Sequence, residues 1–236
     1  LRLLYLPKIE AGSGRVAGLE ALIRWQHAAR GLLTPDLFLP LAEQTGLITQ
    51  LTEDIVRKIF ADLGPWLRQR PEVHISINLS VDDLRSPTLP KLLHDQLQHW
   101  GIAAEQIILE ITERGFVDPE TTMPVIAHYR EAGHRISIDD FGTGYSSLSY
   151  LQKLDVDTLK IDKSFVDTLE YRPLTPHIIE MAKALNLATV AEGVETVSQR
   201  DWLRQHGVQY AQGWLYSKAL PKESFILWAE ENLHAH

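Results

Sequence analysis

Arg135-Ile136-Ser137-Ile138-Asp139-Asp140-Phe141-Gly142-Thr143-Gly144-Tyr145-Ser146-Ser147-Leu148 is the stretch from which the rest of the chain is best read. Apolar residues alternate as far as Ile138, which predicts a strand ending there, and the glycines with Thr and Ser that follow predict a tight loop entering a helix at Ser146. Two adjacent carboxylates thus stand where a strand stops. Neighbours on a strand point to opposite faces, but a turning chain end can aim both at one point. Like charges that close call for a shared proton or a bound cation. The plainer alternative is that Asp140 caps the following turn.

Working outward, further strands are predicted at 1–5, 16–25, 73–79, 106–111, 158–161, 188–191 and 208–211. Helices are predicted at 34–43, 47–68, 89–100, 119–132, 146–154, 175–185, 196–206 and from Lys222. Asn186 ends one of them and is expected in the left-handed conformation. This steady alternation, without a linker or low-complexity interval, fits an α/β chain closed as a (β/α)₈ barrel of the TIM type. No glycine fingerprint for a dinucleotide follows the early strands, which disfavours an open doubly wound sheet.

With 236 residues, 44% hydrophobic and 23% charged, the chain can bury one sizeable core, and 1–236 is read as a single domain. There is no cysteine, which excludes a disulfide framework and thiolate zinc sites. A net charge of −8 without a long basic block argues against DNA or RNA polymers as partners. No apolar run is long enough to cross a bilayer. The chain opens at Leu1 without Met, and is expected to be a piece of a longer signalling protein, with a sensor or a membrane domain each an open option for the rest. Its expected location is the cytoplasm.

In such a barrel the chemistry gathers at the C-terminal ends of the strands. Successive strands end in or near Glu20, Asn78, Glu110, Asp139 with Asp140, Lys160, Glu192 and Gln212. Glu20, Asn78, Glu110 and Asp139 are oxygen donors of the kind Mg²⁺ or Mn²⁺ prefers, and Asp140 with Glu192 can complete a second site that Asp139 bridges. Two such cations suit displacement at phosphorus and let an acidic pocket accept an anion. Lys160 can orient the attacking water or offset developing charge. Alternatives stay open: Lys160 as a structural lysine paired with Asp162 or Asp139, Asn78 as the holder of a turn, Arg24 as the partner of a surface acid. The ten histidines show no ligand spacing, and His234 and His236 lie in a terminal tail.

The ordered set Glu20-Ala21-Leu22 with Arg24, Ser76-Ile77-Asn78-Leu79-Ser80, Glu110-Ile111-Thr112-Glu113, Asp139 to Leu148, Leu159-Lys160-Ile161-Asp162, Ala191-Glu192-Gly193-Val194-Glu195-Thr196 and Gln212-Gly213-Trp214 resembles the EAL-domain cyclic di-GMP phosphodiesterases over nearly the whole chain. The resemblance implies a barrel whose first strand runs antiparallel, and hydrolysis of cyclic di-GMP to linear pGpG. It implies Mg²⁺ or Mn²⁺ on Glu20, Asn78, Glu110 and Asp139, a second ion near Asp139 and Asp140, and help to the attacking water from Lys160 and Glu192. Arg24 would contact a substrate phosphate, with Leu22, Pro221 and, at the pocket rim, Gln212 as further substrate contacts. Glu113 would tether the loop after Asp140, with Asp162 and Glu195 in support. A homodimer formed through the region after the Asp pair is also implied.

One departure stands out: the family's usual Tyr-Gln-Pro is Tyr5-Leu6-Pro7 here, which removes an amide from the substrate side. The competing functions are a receptor that binds the dinucleotide without cutting it and signals through dimerisation, and an unrelated metal-dependent barrel acting on another phosphoester or an enolate. Degenerate receptors of the family lose the first Glu or the Asp pair; this chain keeps Glu20, Asp139, Asp140, Lys160 and Glu192.

Overall fold

The computed structural model describes residues 1–116, 118–142, 151–169, 171 and 174–233. The region 143–150, with the predicted Ser146 helix start, and the tail with His234 and His236 lie outside the described residues.

Among the described residues nine strands form one sheet: β1 (Arg2–Glu10), β2 (Val16–His27), β3 (Gly31–Leu33), β4 (His74–Leu79), β5 (Ile107–Thr112), β6 (Arg135–Phe141), β7 (Thr158–Ile161), β8 (Ala188–Ala191) and β9 (Tyr210–Ala211). All but β3 close into a barrel, in the order β1-β9-β8-β7-β6-β5-β4-β2, with β1 pairing back onto β2. Strand β1 is antiparallel to both neighbours, and the other barrel pairs are parallel. The reason is local. Only the short turn through Gly12 and Gly14, the latter at φ 75°, separates β1 from β2, and a turn that short permits a hairpin but no parallel crossover.

Among the described residues the α-helices are α1 (Leu39–Gln44), α2 (Ile48–Arg68), α3 (Val81–Leu84), α4 (Leu89–Trp100), α5 (Pro119–Glu131), α6 (Lys163–Val166), α7 (Leu174–Ala184), α8 (Val197–Gln205) and α9 (Lys222–Asn232). Strand residues facing outward, such as Ile75, Ile77, Leu109, Ile136, Ile138 and Leu159, are buried under helices. Helix α2 covers the barrel with Val56, Ile59, Phe60, Leu63 and Leu67, each worth about 1.5–3 kcal/mol of burial. Gly64 lets α4 approach, since a Cβ there would lie 2.6 Å from the Trp100 ring.

Several boundaries differ from the sequence reading. The helix expected over 34–43 is a 3₁₀ turn, Pro35–Leu37, followed by α1. Strand β9 keeps only two residues, because the Val208 N–H returns to the Leu203 carbonyl to end α8. The β3 extension was not anticipated: three residues carry too little alternation to be read, and it exists by pairing with the far end of β2. Asn186 does stand at φ 57°.

The decisive difference concerns the Asp pair. Strand β6 does not stop at Ile138 but runs through Phe141, and its register against β7 slips between Ile138 and Phe141. Asp140 sits in that irregularity at φ 53°, a left-handed backbone that Asp tolerates better than most residues. The bulge, rather than a strand end, lets consecutive carboxylates face the same mouth.

Candidate functional site

The period of two along the strands turns Glu20, Asn78, Glu110, Asp139 and Lys160 toward the barrel axis, on five different strands. Glu192 and Gln212 follow the last residues of β8 and β9. At the centre is the fully buried Lys160, whose Nζ lies 2.7 Å from Glu110 Oε2, 2.9 Å from Glu192 Oε1, 3.0 Å from Asp139 Oδ1 and 3.2 Å from Glu20 Oε2. One ammonium therefore faces four carboxylates. Of the two structural partners considered for it, Asp139 is one and Asp162 is not: Asp162 caps α6 by accepting from the Ser164 N–H.

Asn78 does more than hold a turn, since its Nδ2 donates to Glu20 Oε1 at 2.9 Å. Gln212 is not at the rim. It is 2% exposed, and its Nε2 donates to Glu20 Oε2 at 2.7 Å and to Glu192 Oε1 at 3.0 Å. Glu113 is buried at the start of a 3₁₀ turn, while most of the loop it was expected to tether lies outside the described residues. Glu195 is exposed and pairs with Lys163 at 2.8 Å. Pro221 is exposed beside Leu220, whose backbone exchanges hydrogen bonds with Tyr5.

A cavity of about 770 Å³ opens above these groups, lined among others by Glu20, Leu22, Asn78, Arg114, Asp139 and Asp140. Alternate residues of β2 put Glu20, Leu22 and Arg24 on one face. The Arg24 guanidinium donates to the Ile23 carbonyl at 2.8 Å and feels the field of Asp36. Leu6 is the register partner of Glu20 on β1, so its side chain points to the same face.

Burial and charge pull the acids apart. Burial alone would raise Glu20, but Lys160, Asn78 and Gln212 hold it down to about 2. Glu192 is raised to about 8 by burial, reinforced by Asp139 and Glu20 against the opposing pull of Lys160. Burial also raises Glu110 and Asp139, and raises Asp140 with help from Asp162. Burial would discharge Lys160, but the four carboxylates win and keep it cationic.

A carboxyl whose pKa is raised in the fold contributes stability below its unfolded value and loses it as pH rises through the folded one; a depressed carboxyl does the reverse. For Glu192 the window of loss is about 4.5 to 8, and for Glu20 the loss comes as pH falls from about 4.5 to 2. The metal-free domain is therefore expected to melt highest near pH 5 and lower at pH 8. Glu192→Gln should flatten the alkaline limb in thermal melts with chelator present; an unchanged limb would contradict the assignment.

Two groups of three can each converge on an ion among the described residues: Glu20, Glu110 and Asp139, and Asp139, Asp140 and Glu192, their oxygens within 4.8 Å of one another in each group. The donors are all oxygen, carboxylates outnumber the ammonium they surround, and Asp139 belongs to both groups. This set fits one or two hard divalent cations. Lys8 was missed by the sequence reading: its Nζ reaches the same cluster from below, 3.4 Å from Glu110 Oε1.

Residues 1–219 match the family described as EAL domain. The chain is 60% identical over 229 residues to the probable cyclic di-GMP phosphodiesterase PdeB of Escherichia coli (strain K12), covering 97% of this chain and 44% of that protein. It is 36% identical over 232 residues to the probable cyclic di-GMP phosphodiesterase PdeN of the same strain, covering 96% and 45%. Among solved structures, the PaMucR phosphodiesterase in complex with c-di-GMP superposes with a TM-score of 0.89 at 37% identity, covering 94% of this chain and 93% of that one. The chain thus spans less than half the length of these two curated relatives.

Proposed function

This chain belongs to the EAL-domain family, and on that footing we propose that it hydrolyses cyclic di-GMP to linear 5′-pGpG with Mg²⁺ or Mn²⁺ as cofactor. The observation that carries the reading is the convergence of Glu20, Glu110, Asp139 and Glu192 on Lys160 at the mouth of the barrel. Glu20, Asn78, Glu110, Asp139 and Asp140 would hold the cations. When bound, these supply Lewis-acid polarisation of the phosphate oxygens and offset their charge against the acidic wall.

The chain's own groups account for the rest. Water attacks phosphorus, the new P–O bond forms as the bond to the 3′-oxygen breaks, and the 3′-oxygen leaves with a proton. Glu192, held beside Lys160 at 2.9 Å and by the Gln212 amide, is placed to take the proton of the attacking water. Lys160, held cationic, orients that water and offsets charge developing in the transition state. Glu113, Asp162 and Glu195 support the loops around the mouth, Arg24, Leu22 and Pro221 meet the dinucleotide, and Gln212, proposed from the resemblance as a substrate contact, acts through Glu20 and Glu192. Dimerisation through the region after Asp140 belongs to the same proposal, as does placement in the cytoplasm; no described helix is long and apolar enough to cross a membrane.

The test is a chromatographic time course of cyclic di-GMP with the domain and Mg²⁺, run with and without chelator. Linear pGpG that accumulates only without chelator supports the reading. Tight binding without product in either condition would replace it with the receptor function.

The departure at Leu6 gives a second expectation. Since Leu6 shares a face with Glu20, Leu6→Gln should restore one hydrogen bond to substrate and lower KM by roughly fivefold, equivalent to ~1 kcal/mol, with little change in kcat. An unchanged or higher KM would show that Leu6 does not face the dinucleotide.

A further inference from the structure

We infer that Lys8 selects the cation: by engaging one oxygen of Glu110 from beneath the site, it leaves Glu110 a single oxygen to offer a metal, which favours Mg²⁺ or Mn²⁺ over Ca²⁺. The inference rests on the proposed role of Glu110 as a metal ligand.

Lys8 is 5% exposed, an unusual position for a lysine. It lies on the antiparallel strand β1, and its register partner on β2 is Gly18. A Cβ at Gly18 would stand 2.5 Å from the His74 carbonyl oxygen, so no side chain at that position competes with the lysine for the space below the carboxylates. Its ammonium is anchored by Ser76 Oγ at 2.8 Å and reaches Glu110 Oε1 at 3.4 Å. The other oxygen, Oε2, is the one Lys160 holds at 2.7 Å. The two oxygens of Glu110 therefore face different cations: one belongs to the central cluster and one to the layer beneath it. A metal that displaced Lys160 from Oε2 would leave the Lys8 contact intact.

The consequence follows from coordination chemistry. Mg²⁺ demands a compact octahedron at about 2.0–2.1 Å, to which a carboxylate lends one oxygen, whereas Ca²⁺ takes about 6–8 oxygens and readily uses both oxygens of a carboxylate. Withholding Oε1 penalises Ca²⁺ selectively. The positive charge of Lys8 repels every divalent cation alike, so the ratio of affinities isolates the geometric effect from the electrostatic one.

The experiment is calorimetric titration of the metal-free domain with Mg²⁺ and with Ca²⁺, for wild type, Lys8→Met and Ser76→Ala. Lys8→Met keeps the apolar stem and removes the ammonium. It is expected to shift the Ca²⁺-to-Mg²⁺ affinity ratio toward Ca²⁺ by about tenfold, the lower end of what groups touching a metal's ligands contribute. Ser76→Ala keeps the charge but frees the ammonium, and should shift the ratio the same way by less. Equal changes for both ions, or none, would overturn the inference. If Lys8→Met does not fold, an unshifted ratio in Ser76→Ala decides against it. Wild type that binds neither ion, or Glu110→Gln that binds both as wild type does, would instead refute Glu110 as a ligand and remove the basis of the inference.

Discussion

Glu20→Ala is expected to abolish turnover and to weaken Mg²⁺ binding by more than about 100-fold, the upper end of what groups touching a metal's ligands contribute. The loss is large because Glu20 is a junction. One oxygen accepts from Asn78 at 2.9 Å, and the other accepts from Gln212 at 2.7 Å and from Lys160 at 3.2 Å. Removing the carboxylate deletes a donor of the proposed metal site, strips the Asn78 amide of its acceptor and leaves Gln212 only Glu192 to hold it. Glu20→Gln separates these effects: it keeps the volume and an acceptor oxygen but not the charge. Both variants should lack pGpG formation at limiting Mg²⁺, with Glu20→Gln retaining more thermal stability than Glu20→Ala. Wild-type rates in either at limiting Mg²⁺ would remove Glu20 from the ligand set.

Lys160→Met has the second large effect, and it acts on stability and catalysis in separable ways. Without metal, deleting the one ammonium that four carboxylates surround leaves buried charge uncompensated, at a cost of about 3–5 kcal/mol. For a chain of this size that corresponds to a melting temperature lower by roughly 10 °C. Divalent cations would supply the missing positive charge, so Mg²⁺ should raise the Tm of Lys160→Met by more than it raises that of wild type. The catalytic loss should persist at saturating Mg²⁺, at about 10²–10³-fold in kcat, the range found when one group stabilising a transition state is removed. Recovery of kcat at high Mg²⁺ would mean that Lys160 only fills a charge vacancy. An equal Tm gain in both proteins would mean that Lys160 does not hold the metal-free cluster together.

Most of the architecture was legible because periodicity is a local property. Runs such as Ile75-Ser76-Ile77-Asn78-Leu79 and Ile136-Ser137-Ile138-Asp139 alternate outward apolar with inward polar residues, and regularly spaced helices between them imply parallel crossovers and closure. That pattern also exposed the donors themselves, since a polar residue near the end of strand after strand has one place to go in a barrel. The antiparallel β1 came from family likeness, although the short turn through Gly12 and Gly14 supplies its physical cause.

What the sequence could not show depends on which side chains meet across the barrel axis. Lys160 meets Glu20 over a separation of 140 residues, and Lys8 meets Glu110 over 102. Such distances are set by closure and register, which no short window records. Family likeness put Gln212 at the rim, yet its amide is buried against Glu20 and Glu192. Asp139 and Asp140 were read as a strand end, yet they share a mouth through a bulge at φ 53°. Lys8 carried no signal in the sequence, and only the closed sheet, with the bare Gly18 as its register partner and Ser76 beneath Glu110, gives its ammonium a place inside. The sequence determined the barrel and the chemical identity of its donors, because alternation and residue type are written locally. The tertiary structure alone decided how charge is balanced among them, because electrostatic pairing depends on distances that only the closed sheet defines.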